Sequence, residues 1–275
     1  MLNDNKTAEC AGASMTIITA NNQQPYLLTE DSGAVRWLTL NREKSRNTLS
    51  LAMLAAIKAA LDEAYQNPQI RVIVLAALGP VFSAGHDLKE MQTSEREVLT
   101  RCAEMMMDIV GGDKPVIACV AGIATAGGCQ LVSSCDLAVA SEDAKFCTPG
   151  VNIGGFCTTP LVGIGRKIHR KHAMELALTG DMFSSADAWR FGLINRVVPA
   201  EDLRKETENL AQKIASKSSI AIQHGKKAFY QQIDMPIEQA YAYATERMIE
   251  GNATADSAEG VAAFFEKRQP IWKDG

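Results

Sequence analysis

The chain has 275 residues, 47% of them hydrophobic and 22% charged, enough for one large or two modest soluble domains with a substantial core. Its 28 Lys and Arg against 32 Asp and Glu give a formal charge of −4, which offers no basic excess for nucleic acid and no acidic tail. The seven cysteines (Cys10, Cys102, Cys119, Cys129, Cys135, Cys147 and Cys157) form no CxxC pair or zinc-like cluster, so buried thiols in a reducing compartment are expected and no metal site is.

No stretch reaches the roughly 18 apolar residues of a membrane span. The first 22 residues lack a signal-peptide core and an arginine-rich amphipathic pattern, so residues 1–25 read as a flexible polar lead and a cytoplasmic location is expected. The basic clusters Lys226-Lys227 and His169–His172 read as solvated faces.

In chain order, YLLTE (26–30) and AVRWLTLN (34–41), split by Asp31-Ser32-Gly33, predict a β-hairpin. Residues 42–47 are a polar connector. Ser50 is placed to cap a helix carrying Leu51, Leu54, Ala55, Ile57 and Leu61, which ends near Asn67-Pro68. RVIVLAA (71–77) is a continuously apolar strand of the kind covered on both faces. A loop, GPVFSAGHDL (79–88), leads toward a helix over 95–110, with Met105, Met106, Ile109 and Val110 as core fillers.

VIACV (116–120) is the next strand, followed by a Gly/Ala turn, a helix from about Gly127, and the strands 137–140 and 144–147. Pro149–Gly155 is a glycine-punctuated loop. Beyond it the pattern becomes helical (172–178, 185–191, 201–215, 220–231, 237–249, 255–267), interrupted by one short strand, INRVV, at 194–198. The expected organisation is a core over 26–200 and a helical region over 201–275 that covers it or meets a partner subunit.

Two loops repeat one pattern, an apolar strand followed by a small-residue turn and a helix start: Ser83-Ala84-Gly85-His86 and Ala126-Gly127-Gly128-Cys129. First-turn amides lack helical partners and sit at the positive end of the dipole, so one N–H from each loop could converge on a thioester oxygen. Close helix–strand packing is the alternative reading of the same glycines. GxGxxG with a following acid, GxxxxGK[ST] and GxSxG are all missing, which argues against dinucleotide, P-loop and serine-hydrolase chemistry.

The segments NREKSRNTLS, GPVFSAGHDLKEM, AGIATAGGCQLVSSCDLAVASEDAKF, GVNIG, LTGDMFSSADAWRFGLINRVVP and EGVAAFFEKRQPIW together resemble the crotonase (enoyl-CoA hydratase/isomerase) superfamily over about residues 26–272. Within it, the runs FSAGHDLKE, GGCQLV and TPGVNIG are similar to the mitochondrial enoyl-CoA hydratase domain-containing group. The resemblance implies an α/β (α+β) fold, a spiral of repeated ββα units with a helical C-terminal region, assembled as a homotrimer or a dimer of trimers. It implies an acyl-CoA thioester ligand, with coenzyme A as part of that ligand and no separate cofactor.

By motif, the backbone N–H groups of His86 and Gly127 would be the oxyanion donors. Ser45, Arg46, Ala84, Asp87 and Leu88 would line the CoA area, and Phe264 and Lys267 would reach CoA from a neighbouring subunit. Where the hydratases carry two glutamates, this chain has Gln130 and Gly150. Gln130 can orient water but cannot titrate, and Gly150 has no side chain, so two-glutamate hydration is not expected. His86 is the titratable candidate at the site; its side chain could equally point away, and Asp87 could orient it or cap the following helix. Cys129 and Cys157 read as buried small hydrophobes rather than nucleophiles, His169 and His172 as a helix surface rather than a metal pair. Two functions remain: an enzyme working through an enolate, or a non-catalytic acyl-CoA-binding or regulatory protein.

Overall fold

The computed structural model of the chain describes residues 24–274, so the expected lead over 1–25 lies outside the described residues except for its last two positions. The hairpin forms as β1 (Leu27–Ser32) and β2 (Val35–Leu40), paired antiparallel around Gly33. Helix α1 (Leu51–Gln66) starts where Ser50 accepts from the Met53 amide, and it buries Met53, Leu54, Ile57, Leu61 and Ala64. At about 1.5–3 kcal/mol for each large apolar side chain, that burial outweighs any helix propensity.

After it come β3 (Val72–Ala77), a short β4 (Val81–Ser83) and α2 (Leu88–Gly111). Helix α2 starts seven residues before the predicted 95–110 segment, capped by Asp87, and is non-helical at Ser94. Strands β5 (Val116–Val120) and β6 (Ile123–Thr125) lead into α3 (Gly127–Ser134). Strands β7 (Leu137–Ser141) and β8 (Lys145–Cys147) follow, then a 3₁₀ turn over Pro149–Ile153.

The pattern β3-β4-α2, β5-β6-α3, β7-β8 is a spiral. The first strand of each unit joins one sheet and the second joins another. The six-stranded sheet has the order β1-β2-β3-β5-β7-β10 and the four-stranded sheet β4-β6-β8-β9. Pairing along the spiral is parallel, β3 to β5 to β7 in one layer and β4 to β6 to β8 in the other. Because side chains alternate, Ile73 and Leu75 enter the core under the helices while Val72, Val74 and Ala76 enter a second apolar layer on the other face. The apolar run at 71–77 is thus covered on both sides, as its composition predicts.

Next are α4 (Thr158–Lys167), α5 (Arg170–Thr179), β9 (Phe183–Ser184), α6 (Ser185–Phe191) and β10 (Arg196–Val198). Helix α4 has no counterpart in the sequence reading. It carries a proline and two glycines; Pro160 is tolerated because a first-turn residue needs no amide partner. Helix α7 (Leu203–Ala215) lies on the six-stranded sheet, where Leu203, Ala211 and Ala215 close the second apolar layer. Helices α8 (Ser219–Gln232), α9 (Ile237–Asn252) and α10 (Ala255–Glu266) finish the chain and pack on one another. No described helix is long and apolar enough to cross a membrane.

One surface expectation is corrected. Lys226 is not solvated: its side chain is 7% exposed, and its ammonium donates to the Asp136 carboxylate at 2.8 Å and to the Ile109 and Lys114 carbonyls. Tyr230 also donates to Asp136. The ion pair ties α8 to the loop ahead of β7, a partnership that no local pattern reveals. Replacing Lys226 with Met leaves Asp136 without its counterion, so a loss of about 3–5 kcal/mol is expected in urea unfolding. A loss under ~1 kcal/mol would show that the pair does not hold α8 down.

Candidate functional site

The site grows from a polar staple that sequence reading passed over as a connector. Asn47 is buried with a left-handed φ of +50°. Its side-chain NH₂ donates to the Leu78 and Val81 carbonyls, and its Oδ1 accepts from the Arg42 amide. The Asn47 carbonyl in turn accepts from Ser83 Oγ at 2.8 Å. These bonds press the 42–49 segment against the end of β4. The Asn-Thr-Leu-Ser order gives the clue, since Asn tolerates positive φ and satisfies turn backbone.

On this staple the turn after β4 spends its polar groups one by one. The Ala84 amide donates to the Arg46 carbonyl, the Gly85 amide to Ser83 Oγ, and the Gly85 carbonyl accepts from Leu49. The His86 amide is the next in line and donates to nothing among the described residues. The Gly127 amide, first in α3, also lacks a donor bond there, and the first helical bond runs from Gln130 to Ala126.

The two turns meet. A side chain begun on Gly85 would lie 2.8 Å from the Gly127 nitrogen and 3.1 Å from the Thr125 carbonyl. One begun on Gly128 would lie 2.2 Å from the Ser83 carbonyl. Gly85 has φ +82°, and Ala126 holds φ +50°, ψ −117° although it has a Cβ. The glycines bring the two backbones together, and the His86 and Gly127 amides near this contact donate to no group among the described residues.

The strain at Ala126 is worth about 1–3 kcal/mol. Ala126→Gly relieves it but adds ~0.5–1 kcal/mol of backbone entropy. A net gain of about 1 kcal/mol, ~2–4 °C in melting midpoint, is expected. A lower midpoint would mean the turn is not strained.

Of the remaining candidates, Asp87 is a helix cap, its carboxylate accepting from the Lys89 and Glu90 amides. Leu88 is exposed on the first turn of α2, and Ser45 and Arg46 are exposed beside Ala84, joined to it through the Arg46 carbonyl. Phe264, 78% exposed, belongs to α10, which packs on α8 and α9, and Lys267 is the left-handed residue that caps its C-terminus. Phe264 lines a separate cavity of about 710 Å³ among those three helices, with Trp272 at its wall.

Gln130 lies 6% exposed on α3, and its Oε1 and the shielded His86 Nε2 have no hydrogen-bond partner among the described residues. Burial pushes the His86 imidazole below its ordinary range. Thr148 donates to the Leu176 carbonyl and Asn152 is exposed beside Gly180, so neither hydrogen-bonds to Gln130. Burial pushes the Cys129 and Cys157 thiols up, as suits inert sulfhydryls. His169 caps α5 and His172 stacks on Phe191. No cluster of His, Cys, Asp or Glu among the described residues can hold a metal.

Gly150 is crowded: a Cβ there would stand 3.0 Å from Cys157 Sγ and 3.1 Å from the Cys157 amide. The loop through Phe156 and Cys157 lies against this position and has to give by a few tenths of an ångström for a larger residue to stand there.

The profile of the enoyl-CoA hydratase/isomerase family matches residues 30–275. The chain is 44% identical over 268 residues to mouse "Enoyl-CoA hydratase domain-containing protein 3, mitochondrial", covering 96% of this chain and 89% of that protein. The human protein of the same name is 43% identical over 243 residues, covering 86% and 80%. Among solved structures, an enoyl-CoA hydratase of Mycobacterium smegmatis superposes with TM-score 0.88 at 45% identity, over 90% of this chain and 99% of that one. The structure of human enoyl-CoA hydratase domain-containing protein 3 gives TM-score 0.87 at 43% identity, over 90% and 100%. The mouse and human relatives of 44% and 43% identity are named mitochondrial, which overturns the cytoplasmic expectation; a lead read only for its lack of a transit pattern was a weak guide to compartment. The repeated ββα spiral is the crotonase fold, and the chain belongs to the enoyl-CoA hydratase/isomerase family.

Proposed function

We propose that the protein binds an acyl-CoA thioester and stabilises its enolate through two backbone donors, the N–H groups of His86 and Gly127. The observation that supports this reading is the contact of the Gly85 and Gly127 turns, together with the lack of an acceptor for the His86 and Gly127 amides among the described residues. Paired donors of this kind gain strength as charge develops on the thioester oxygen, so they favour the enolate over the ground state. In this reading Ser45, Arg46, Ala84, Asp87 and Leu88 would line the CoA portion. Phe264 and Lys267 would approach it from a neighbouring copy in a trimer, or in a dimer of trimers; the exposure of Phe264 and Phe265, 78% and 77%, supports such a contact.

Hydration by a carboxylate pair is not the chemistry of this site. Gln130 cannot titrate, and Gly150 is walled by Cys157. The second reading, an acyl-CoA-binding or regulatory protein without turnover, is favoured by the same substitution of both positions.

The test is turnover by mass spectrometry against a panel of enoyl-, β-hydroxyacyl- and malonyl-type CoA thioesters, with affinity measured in parallel. Micromolar binding together with turnover of at least one thioester supports the enzyme. Binding without turnover supports the second reading, and no binding to any thioester sinks both. The Gln130→Glu/Gly150→Glu double variant is expected to gain no hydration, because the new side chain at 150 meets the Cys157 backbone. Hydratase activity in that variant would show that the Cys157 loop yields.

A further inference from the structure

The three C-terminal helices frame a cavity that the two-amide site does not use. Its volume of about 710 Å³ falls within the roughly 300–1,000 Å³ of small-molecule sites. The space exists because the helices face one another with small residues: Ala221, Gly225 and Ala228 on α8, Ala244 and Gly251 on α9, and Gly260 on α10. A Cβ added at Gly225 or Gly251 would meet nothing within 4 Å. No residue of α8 is fully buried, and α9 buries only Ala240. Trp272 closes one side, its ring 3.4 Å from where a Gly260 side chain would begin. The indole N–H is already given to the Ser216 carbonyl, so the ring contributes an apolar wall.

Two residues on this wall, Asp256 and Arg247, each carry a shielded polar atom with no hydrogen-bond partner among the described residues. Asp256 is 2% exposed, and the fold explains only half of its carboxylate. Oδ1 accepts from the Lys273 and Asp274 amides at 2.7 and 3.3 Å and so holds the C-terminal segment, whereas Oδ2 holds nothing there. The Arg247 guanidinium spends Nη2 on Glu250 and lies over the Tyr243 ring, which leaves Nε. Arg247 belongs to the penultimate turn of α9 and Asp256 to the first turn of α10, so they flank the corner between these helices. Buried polar atoms are rarely left unpaired, and such exceptions call for an explanation.

One of the two atoms is an acceptor and the other a donor. A hydroxyl answers both, its O–H donating to Asp256 Oδ2 and its lone pair accepting from Arg247 Nε. A carboxylate offers Asp256 no proton and adds a like charge. An ammonium offers Arg247 no lone pair. We infer that the cavity among α8, α9 and α10 is a second binding site, for an apolar alcohol. The hydroxyl is held by Asp256 and Arg247, and the carbon body lies against Trp272 and the small-residue faces of the helices. The site stands apart from the turns at Gly85 and Gly127, and binding there involves no bond making or breaking.

The experiment measures binding of 1-decanol, decanoate and decylamine to the full-length protein by calorimetry at pH 7. One decanol per chain is expected, with decanoate and decylamine each weaker by about tenfold or more for want of one partner. Gly225→Leu fills the cavity from α8, where nothing obstructs a Cβ, and replaces a poor helix former by a good one. Its melting midpoint should be kept or raised while decanol affinity falls at least about 30-fold. Asp256→Asn keeps an oxygen for the two backbone amides and turns the other atom into a donor, so decanoate gains about tenfold on decanol. If that variant folds poorly, Arg247→Met carries the same test: without Nε, the preference for decanol over decylamine narrows to within about threefold. Equal decanol affinity in wild type and Gly225→Leu overturns the assignment, since the alcohol then binds elsewhere, the thioester site included. So does decanoate bound as tightly as decanol. Failure of wild type to bind decanol overturns it too and leaves the space to a neighbouring copy or to water.

Discussion

The Gly128→Ala variant is expected to lose about 3 kcal/mol of stability or more, and with it any affinity for a CoA thioester. The added methyl would stand 2.2 Å from the Ser83 carbonyl oxygen and 2.9 Å from its carbon. Neither neighbour is a free side-chain end. Ser83 is the last residue of β4, and its Oγ is bonded to the Asn47 carbonyl and the Gly85 amide. Relief therefore requires β4 and α3 to move apart, which opens the contact between the Gly85 and Gly127 turns. Gly165→Ala in α4 and Gly225→Ala in α8 are the controls, since a methyl at either position meets nothing within 4 Å. Both should gain about 0.5–1 kcal/mol. Urea midpoints of the three variants decide the matter. A Gly128→Ala protein as stable as the controls would show that the close approach of the two turns is not a constraint.

The second large effect is expected at Gly85, and it falls on chemistry as well as on folding. Gly85 has φ +82°, and a Cβ there meets the Gly127 nitrogen at 2.8 Å and the Ala126 Cβ at 3.0 Å. Gly85→Ala thus pushes directly on one of the two donors while turning the neighbouring His86 amide away. Removing one such donor lowers rates by about 10²–10³-fold. The same loss is expected in α-proton exchange or turnover, whichever the wild type shows. Affinity for free CoA, which has no thioester carbonyl for the two amides to meet, should change by less than about threefold. Wild-type rates in Gly85→Ala would mean that the His86 and Gly127 amides do not act as a pair.

The strands and helices that could be read from the sequence were those with enough length to show a period. The apolar run of β3, the capped helix after Ser50 and the helices from 203 onward stand close to where pattern and caps put them. Strands β4, β6 and β9 have three residues or fewer, too short for alternation to register, and they exist because neighbouring turns of the spiral pair with them. Helix α4 was hidden by Pro160, Gly163 and Gly165, of which Gly163 serves to pack against Ser133.

The site divides in the same way. The repeated small-residue turns flagged Gly85 and Gly127, but spacing alone left open whether they meet. The Asn47–Ser83 staple joins residues 36 positions apart, and Lys226 finds Asp136 across 90 positions. Such pairings are set by topology and leave no trace in local composition. The fate of His86 is of this kind too: whether its ring faces Gly127 depends on how two distant loops seat against each other.

The most direct test of the two-amide site is the infrared spectrum of a ¹³C-carbonyl acyl-CoA bound to the protein, compared with the same thioester free in solution. Two N–H donors on one oxygen weaken the C=O bond, so the account predicts a shift of the carbonyl band to lower frequency that disappears in Gly85→Ala. A bound thioester whose carbonyl band stays at its solution frequency would contradict it.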